Sequence, residues 1–430
     1  MTAAIEFPLT VAQRGVLDAE AGRLGRSSYN NPLALRITGP LDLEALDRAF
    51  AAAVARHPLL RGAVVEGGEP ERRVPADRPA PALERDAGRP AGPPEPAALD
   101  AELARYAALP FDLVEGPLVR ARVYPLDRDD HVLHLVAHHL VADGTSIDLL
   151  AADVSRAYRA ELGGGPGEAG APPAPYADHA RWEHRWLAEG GHRDELRSWE
   201  EYLEGVPDGV RLAVPGRAAD GGGTGAPLTR RFPVDGVAAL RRGAARNRGT
   251  LFVAALTALQ WTLHRHSGRR RFTVRVPFSG RVEPELAGTV GYFVNVLPLR
   301  AVIEPGSTPA ELFAANSAEL PDLLDRQLVP APLFAAARPA DGAAAVLLNL
   351  RPPREPLFAE HGSPARVVLA EPVVGYQLSL VAQEEGDRLV FDAQADPAVL
   401  TEADLVAITD GFSTLLSELA APGADGRAAP

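Results

Sequence analysis

Residues 131–150, which read HVLHLVAHHLVADGTSIDLL, set two adjacent histidines, an aspartate and a glycine at the end of an apolar run. Imidazole titrates near neutrality, so a histidine at such a junction suits general-base work on an amine or hydroxyl. Asp143 could orient a ring, cap a helix or pair with an arginine elsewhere; its short side chain is well suited to the cap. The chain has no cysteine. It therefore has no thiol nucleophile, disulfide or cysteine metal site, and any thioester chemistry must bring its sulfur on the substrate or a partner.

The elements that must hold these residues can be read on either side. Residues 118–124 alternate as a strand, 127–130 form a tight turn and 132–137 form the returning strand. Thr145 with Asp148 makes a capping-box-like start, and Ile147, Leu150, Ala151, Val154 and Tyr158 recur at helical spacing behind it. His138, His139 and Asp143 thus stand where a buried strand ends and a helix begins. The positive end of a helix disfavours imidazolium, so a histidine beside it stays neutral and able to accept a proton. Taken singly, a histidine at a strand end is most simply packed or solvated, and an aspartate before glycine most simply turns the chain. Together they are more specific.

His138-His139-Leu140-Val141-Ala142-Asp143-Gly144 is a complete HHxxxDG motif, and it resembles the active-site signature of condensation domains of nonribosomal peptide synthetases. Other segments resemble that family's motifs in the expected order. Leu9 to Arg14 contains an Ala-Gln pair before a basic residue, and Arg56-His57-Pro58-Leu59-Leu60-Arg61 ends a helix at proline. His57 there reads as the tie of a helix end. Tyr176, Asp178 and Trp182 match a fourth motif, and GTVGYFVNVLPLR at 288–300 closely resembles a fifth. A sixth is poorly kept, with Arg326-Gln327 and Pro332-Leu333-Phe334 where the family often has His-Gln and Pro-Phe. Residues 346–350 fit a seventh-motif strand.

The resemblance spans Leu9 to about Leu419 and implies an α/β (α+β) fold of two chloramphenicol-acetyltransferase-like lobes in a V-shaped pseudo-dimer with a central tunnel. It implies an N-terminal lobe at 1–175 carrying the motif and a C-terminal lobe at 176–430, with an inter-lobe helix at 176–205 and a crossover or floor segment at 277–300. In that family a donor acyl group arrives as a thioester on the phosphopantetheine arm of a carrier protein, and an amine or hydroxyl acceptor enters opposite, on a second carrier or free. By this mapping His139 accepts or positions the nucleophile's proton, and His138 holds the loop. The N–H of Gly144, by its position at the helix start, is a candidate oxyanion donor. Asp143 is assigned to a structural salt bridge with Arg281. Asn295 would lie near the reacting centre, while Tyr292 and Phe293 read equally as substrate wall or ordinary core.

The rest of the chain sets the frame. Its 430 residues are 46% hydrophobic, enough for substantial cores, and 44 basic against 57 acidic residues leave a net charge of −13. No concentrated basic face points to nucleic acid, and Arg269-Arg270-Arg271 reads as a solvated turn. No apolar run reaches membrane-spanning length and the N-terminus lacks signal-peptide features, so the expectation is a cytoplasmic protein with no membrane partner. The resemblance implies no metal and no cofactor bound by the protein itself, only the phosphopantetheine arm of a partner carrier protein. Helices are expected at 41–56, 103–108, 235–246, 250–266 and 401–419, and strands at 31–37, 228–232 and 272–276, with a hairpin at 378–392. Residues 76–99 read as irregular, 163–175 and 215–227 as glycine-rich breaks, and 420–430 as a disordered tail. Trp182, Trp186 and Trp199 read as packing residues. An initiator-like Met1 leans toward a free-standing enzyme.

Three alternatives stand beside the condensation reading. Epimerization domains share HHxxxDG, but GYFVNVLPLR looks more like condensation than epimerization and the later epimerization motifs are not evident; heterocyclization domains carry a two-aspartate version of the motif. A CoA-dependent acyltransferase of the same superfamily is the stronger rival, although the plant-type DFGWG motif is missing. From another class, the chain could be a non-catalytic platform recruiting carrier or tailoring proteins, against which the intact His139 and Asp143 speak.

Overall fold

The computed structural model describes residues 5–20, 29–65, 71–74, 78–86, 96–163, 172–212, 227–335, 345–354, 356–358, 366–369 and 376–421. The first half of the chain runs β1 (Ile5–Pro8), α1 (Val11–Ala19), β2 (Asn30–Thr38), α2 (Leu43–Arg56), β3 (Ala63–Val65), β4 (Glu71–Val74), β5 (Glu84–Arg85), α3 (Pro96–Ala107), β6 (Val119–Asp127), β7 (Asp130–His138), α4 (Gly144–Glu161) and α5 (Tyr176–Ala188). It continues through α6 (Arg193–Tyr202), β8 (Leu228–Asp235), α7 (Val237–Arg246), α8 (Leu251–Ser267), β9 (Arg271–Phe278), β10 (Asn295–Val302), α9 (Pro309–Asp325) and α10 (Ala331–Ala335). The last elements are β11 (Val346–Leu350), β12 (Arg366–Leu369), β13 (Leu378–Glu385), β14 (Arg388–Ala395) and α11 (Glu402–Ala420). The expected breaks at 163–175 and 215–227 and the tail at 420–430 fall largely outside the described residues.

The chain divides into two compact units. The first takes Met1–Gly191, Ser279–Val294 and Arg354–Pro372; the second takes His192–Phe278, Asn295–Pro353 and Val373–Pro430. This division differs from the expected boundary after Pro175, because α5 packs with β1 and so belongs to the first unit. It also splits the expected 277–300 segment: residues 279–294 go with the first unit, while Asn295 opens β10 in the second.

In the first unit an open five-stranded sheet runs β12-β2-β7-β6-β5, antiparallel except where β5 meets β6. The central strand β7 is buried along almost its whole length because both faces are covered. Leu133, Leu135 and Ala137 belong to the main core with α2 and α4, whereas Val132 joins Leu99, Leu103 and Tyr124 in a smaller core. Helix α2 buries Ala45, Leu46, Ala49, Phe50, Ala53 and Val54 at helical spacing, with Asp42 capping its start. Helix α3 begins earlier than the expected 103–108. Its buried stripe of Leu99, Leu103 and Tyr106 is sparse among charged residues, and Pro96 is tolerated because a first-turn N–H has no helical partner to lose.

The second unit is an open six-stranded sheet in the order β10-β9-β11-β13-β14-β8, with β11 parallel to both β9 and β13. Helix α8 is buried nearly all round and packs against α7, α9 and α11. Two of its buried polar residues are satisfied by side chain and backbone: Asn316 of α9 donates to Thr257 Oγ1 at 2.9 Å and Gln260 Oε1 at 2.8 Å, and Gln260 Nε2 donates to the Arg300 carbonyl at 3.0 Å. Trp199 of α6 is fully buried, stacks on Phe334 and donates its indole N–H to the Arg326 carbonyl at 3.0 Å.

Candidate active site

Strand β7 ends at His138 and α4 starts at Gly144, so residues 139–143 of the motif form the short strand-to-helix loop. Asp143, with extended backbone, is the N-cap: its Oδ1 accepts from Ser146 N at 2.8 Å. The expected Thr145–Asp148 capping box does not form. Asp143 already supplies the cap, and Asp148 instead accepts from Arg354 Nε at 2.6 Å.

The same carboxylate receives Arg281 from residues 279–294. Nη1 donates to Oδ2 at 2.8 Å and Nη2 to Oδ1 at 3.0 Å, a two-point pairing that suits a planar guanidinium. The side chains are 4% and 2% exposed. Phe293 N adds a third partner to Oδ2 at 3.0 Å, and the Asp143 N–H donates to the Gly291 carbonyl at 3.0 Å. Ser146 Oγ joins the network, accepting from Arg281 Nη2 at 2.8 Å and Gly291 N at 2.9 Å; its single proton is shared between Asp143 Oδ1 and the Gly291 carbonyl, each at 2.8 Å. Gly291 has to be glycine, since a Cβ there would come within 2.1 Å of the Tyr176 ring.

The two histidines differ in surroundings. His138 is fully buried. Its Nδ1 accepts from Leu140 N at 3.1 Å, which places the proton on Nε2, 3.0 Å from Glu20 Oε1. His139 is half-buried, and its backbone N–H donates to the Tyr29 carbonyl at 2.7 Å. The rings of Tyr29 and Tyr292 present to its imidazole at centroid distances of 6.3 and 5.7 Å, with interplanar angles of 78° and 66°.

The remaining sequence-selected residues divide. Gly144 is the first residue of α4, where an amide N–H has no partner within the helix. Phe293 is buried between Tyr176, His179 and the Arg281 guanidinium, and Tyr292 is half-buried with its carbonyl accepting from Tyr176 Oη at 2.9 Å. Asn295, in the second unit, commits its side chain to backbone: Nδ2 donates to the Gln327 and Val329 carbonyls at 2.8 and 2.7 Å, and Oδ1 accepts from Ala331 N at 2.9 Å. His57 pairs with Asp153 at 2.6 Å and ties α2 to α4.

Several residues that hold the motif had no role assigned by sequence. Gln13 of α1 is fully buried, and its Nε2 donates to the Leu140 carbonyl at 2.7 Å. Thr10 and Gln13 form a capping box, Thr10 Oγ1 lies 3.3 Å from Tyr176 Oη, and Glu183 Oε1 accepts from Val11 N at 2.7 Å. Burial pushes the Glu183 carboxyl up to about 7 against the pull of the Val11 N–H and the Arg14 charge. Burial, with Arg281, brings His179 down to about 4, so that ring is neutral at physiological pH. Among the described residues, no group of three or more His, Cys, Asp or Glu could hold a metal ion, and no helix is long and apolar enough to cross a membrane.

A family model described as Condensation domain matches residues 4–426. Phosphinothricin tripeptide synthetase PhsC of Streptomyces viridochromogenes is 35% identical over 328 residues, covering 75% of this chain and 30% of that protein. The isonitrile lipopeptide synthase of Mycobacterium tuberculosis is 32% identical over 351 residues, covering 75% of this chain and 13% of that protein. The chain therefore spans less than a third of the length of these relatives. Among solved structures, the first condensation domain of the CDA synthetase superposes with a TM-score of 0.83 at 26% identity, covering 99% of this chain and 97% of that one.

Proposed function

The chain belongs to the condensation-domain family, and from that premise we propose that it moves an acyl or aminoacyl group from the phosphopantetheine thioester of a carrier protein to an amine or hydroxyl acceptor. Condensation domains of peptide synthetases are acyltransferases that form amide bonds on carrier-bound substrates. The acceptor's nitrogen or oxygen attacks the thioester carbonyl, its proton passes to an imidazole, and collapse of the tetrahedral intermediate breaks the C–S bond and releases the thiol.

The observation that carries the assignment of roles is how the motif's polar groups are used. Both nitrogens of His138 and both oxygens of Asp143 are engaged at buried positions. Asp143 is thus spent on Arg281, Ser146 and Phe293 N, in contrast to the aspartate of a triad, which would hold the catalytic ring. His139 is the half-buried imidazole of the motif and is assigned as the group that takes or positions the proton. The Gly144 N–H, in the first turn of α4, is assigned to the developing oxyanion. Tyr292 lines the substrate's approach in this reading, Phe293 packs as core against Tyr176, His179 and Arg281, and Asn295 is assigned to holding the 327–331 backbone in place.

The test offers one acyl group on a carrier protein, on CoA and on a small thiol, with a common amine acceptor. The proposal expects kcat/KM for the carrier-borne donor to exceed the others by at least about tenfold, the contribution of about 1.4 kcal/mol of carrier binding. A preference for CoA would make the chain a CoA-dependent acyltransferase of the same fold. Transfer from none of the three would favour a recruitment platform.

A further inference from the structure

His139 is held from outside its own motif. Tyr29, immediately before β2, makes two separate contacts with it: its carbonyl takes the His139 N–H at 2.7 Å, and its ring meets the imidazole edge to face at 6.3 Å. Tyr292 makes the second edge-to-face contact at 5.7 Å. Burial, reinforced by the charge of Glu20, raises the Tyr29 hydroxyl, so the phenol stays neutral across the working range. The Glu20 carboxylate is also the partner of His138 Nε2, so one residue of α1's C-terminal cap bears on both flanks of the histidine pair.

A base is useful only when its lone pair is aimed, and a misplacement of about 1 Å can cost roughly a hundredfold in rate. Edge-to-face aromatic pairs have a preferred geometry beyond plain burial, so two of them on one imidazole select among its staggered side-chain orientations. We propose that Tyr29 is a positioning residue for the transfer reaction, its ring and that of Tyr292 forming an aromatic clamp that keeps the His139 imidazole in one orientation. This rests on the reading of His139 as the group that handles the proton.

The experiment uses the full chain with Tyr29→Phe and Tyr29→Leu, and Tyr292→Leu as a second probe of the clamp should Tyr29→Leu not fold. Two readouts are taken: kcat and KM with a carrier-borne donor, and the imidazole ring resonance of His139, assigned by its loss in His139→Ala. Phe keeps the ring and is expected to stay within about threefold of wild type in kcat with the resonance in place. Leu is expected to lower kcat by about 10–100-fold with KM within about threefold, and to shift or broaden the resonance. An unshifted resonance and wild-type kcat in Tyr29→Leu would overturn the proposal, as would a Phe variant that falls as far as Leu, which would move the role to the phenolic oxygen. A shifted resonance with unchanged kcat would uphold the positioning and overturn His139 as the base.

Discussion

Arg281 lies 138 residues beyond Asp143 in the chain and meets both of its carboxylate oxygens, at 2.8 and 3.0 Å. The pair couples the N-terminus of α4 to residues 279–294, and through Phe293 N and Gly291 it sets the path of the segment that brings Tyr292 to His139. In the proposed reading Asp143 therefore acts as a structural residue of the site. Loss of Arg281 would leave a buried carboxylate without its counter-charge.

Arg281→Ala is expected to cost about 3–5 kcal/mol of stability, the usual penalty for stranding one member of a buried pair. Arg281→Lys recovers only part, because an ammonium cannot span both oxygens. Urea unfolding at neutral pH checks this. An alanine variant within about 0.5 kcal/mol of wild type would contradict it.

Ser146→Ala removes one hydroxyl from a four-membered cluster and leaves Gly291 N short of its acceptor, while Arg281 Nη2 keeps Asp143 Oδ1 and the Thr289 carbonyl. A loss of about 1–3 kcal/mol is expected, with a moderate fall in transfer rate as residues 291–293 loosen. Equal stability of the alanine variant and wild type would show that a water replaces the hydroxyl at no cost.

Gln13→Leu strips the Leu140 carbonyl of its buried donor. The expected stability cost is about 1–3 kcal/mol, and kcat should fall more than KM rises because the loop moved is the one that carries His139. A change in KM alone would detach Gln13 from the motif.

Glu183 gives a pH signature. Its carboxyl sits near 7 in the folded chain against about 4.5 when exposed, so the folded state holds a proton that the unfolded state has released between those values. Stability from this group is complete below about pH 4.5 and is lost as pH rises through about 7. Glu183→Gln keeps an oxygen for Val11 N and removes the titration. At pH 8 the variant should be more stable than wild type by up to about 3 kcal/mol, with the gap closing toward pH 5. Unfolding measured at both pH values checks the sign, and a variant less stable at pH 8 would contradict it.

Much of this site was legible because it is local. The apolar run of β7, the His-His pair and the Asp143-Gly144 helix start lie within a few residues, and the physics of strand burial and helix capping acts over that range. Pairings set by tertiary approach were not legible from composition or periodicity. Arg281 came only from family resemblance; Gln13 and Tyr29 reach the motif through backbone carbonyls and N–H groups that carry no side-chain signal. The misplaced capping box shows the same limit in miniature, since Thr145 and Asp148 had the right spacing but Asp143 had the right backbone. Ser146 was within reach, as the N3 residue of an aspartate-capped helix.

The most direct measurement is single-turnover transfer from a carrier-loaded acyl donor by wild type and His139→Ala, with thermal unfolding of both in parallel. The account expects the alanine variant to melt within a few degrees of wild type and to transfer at least about a hundredfold more slowly, the loss associated with removing a positioned base. A folded His139→Ala protein that transfers at the wild-type rate would contradict it.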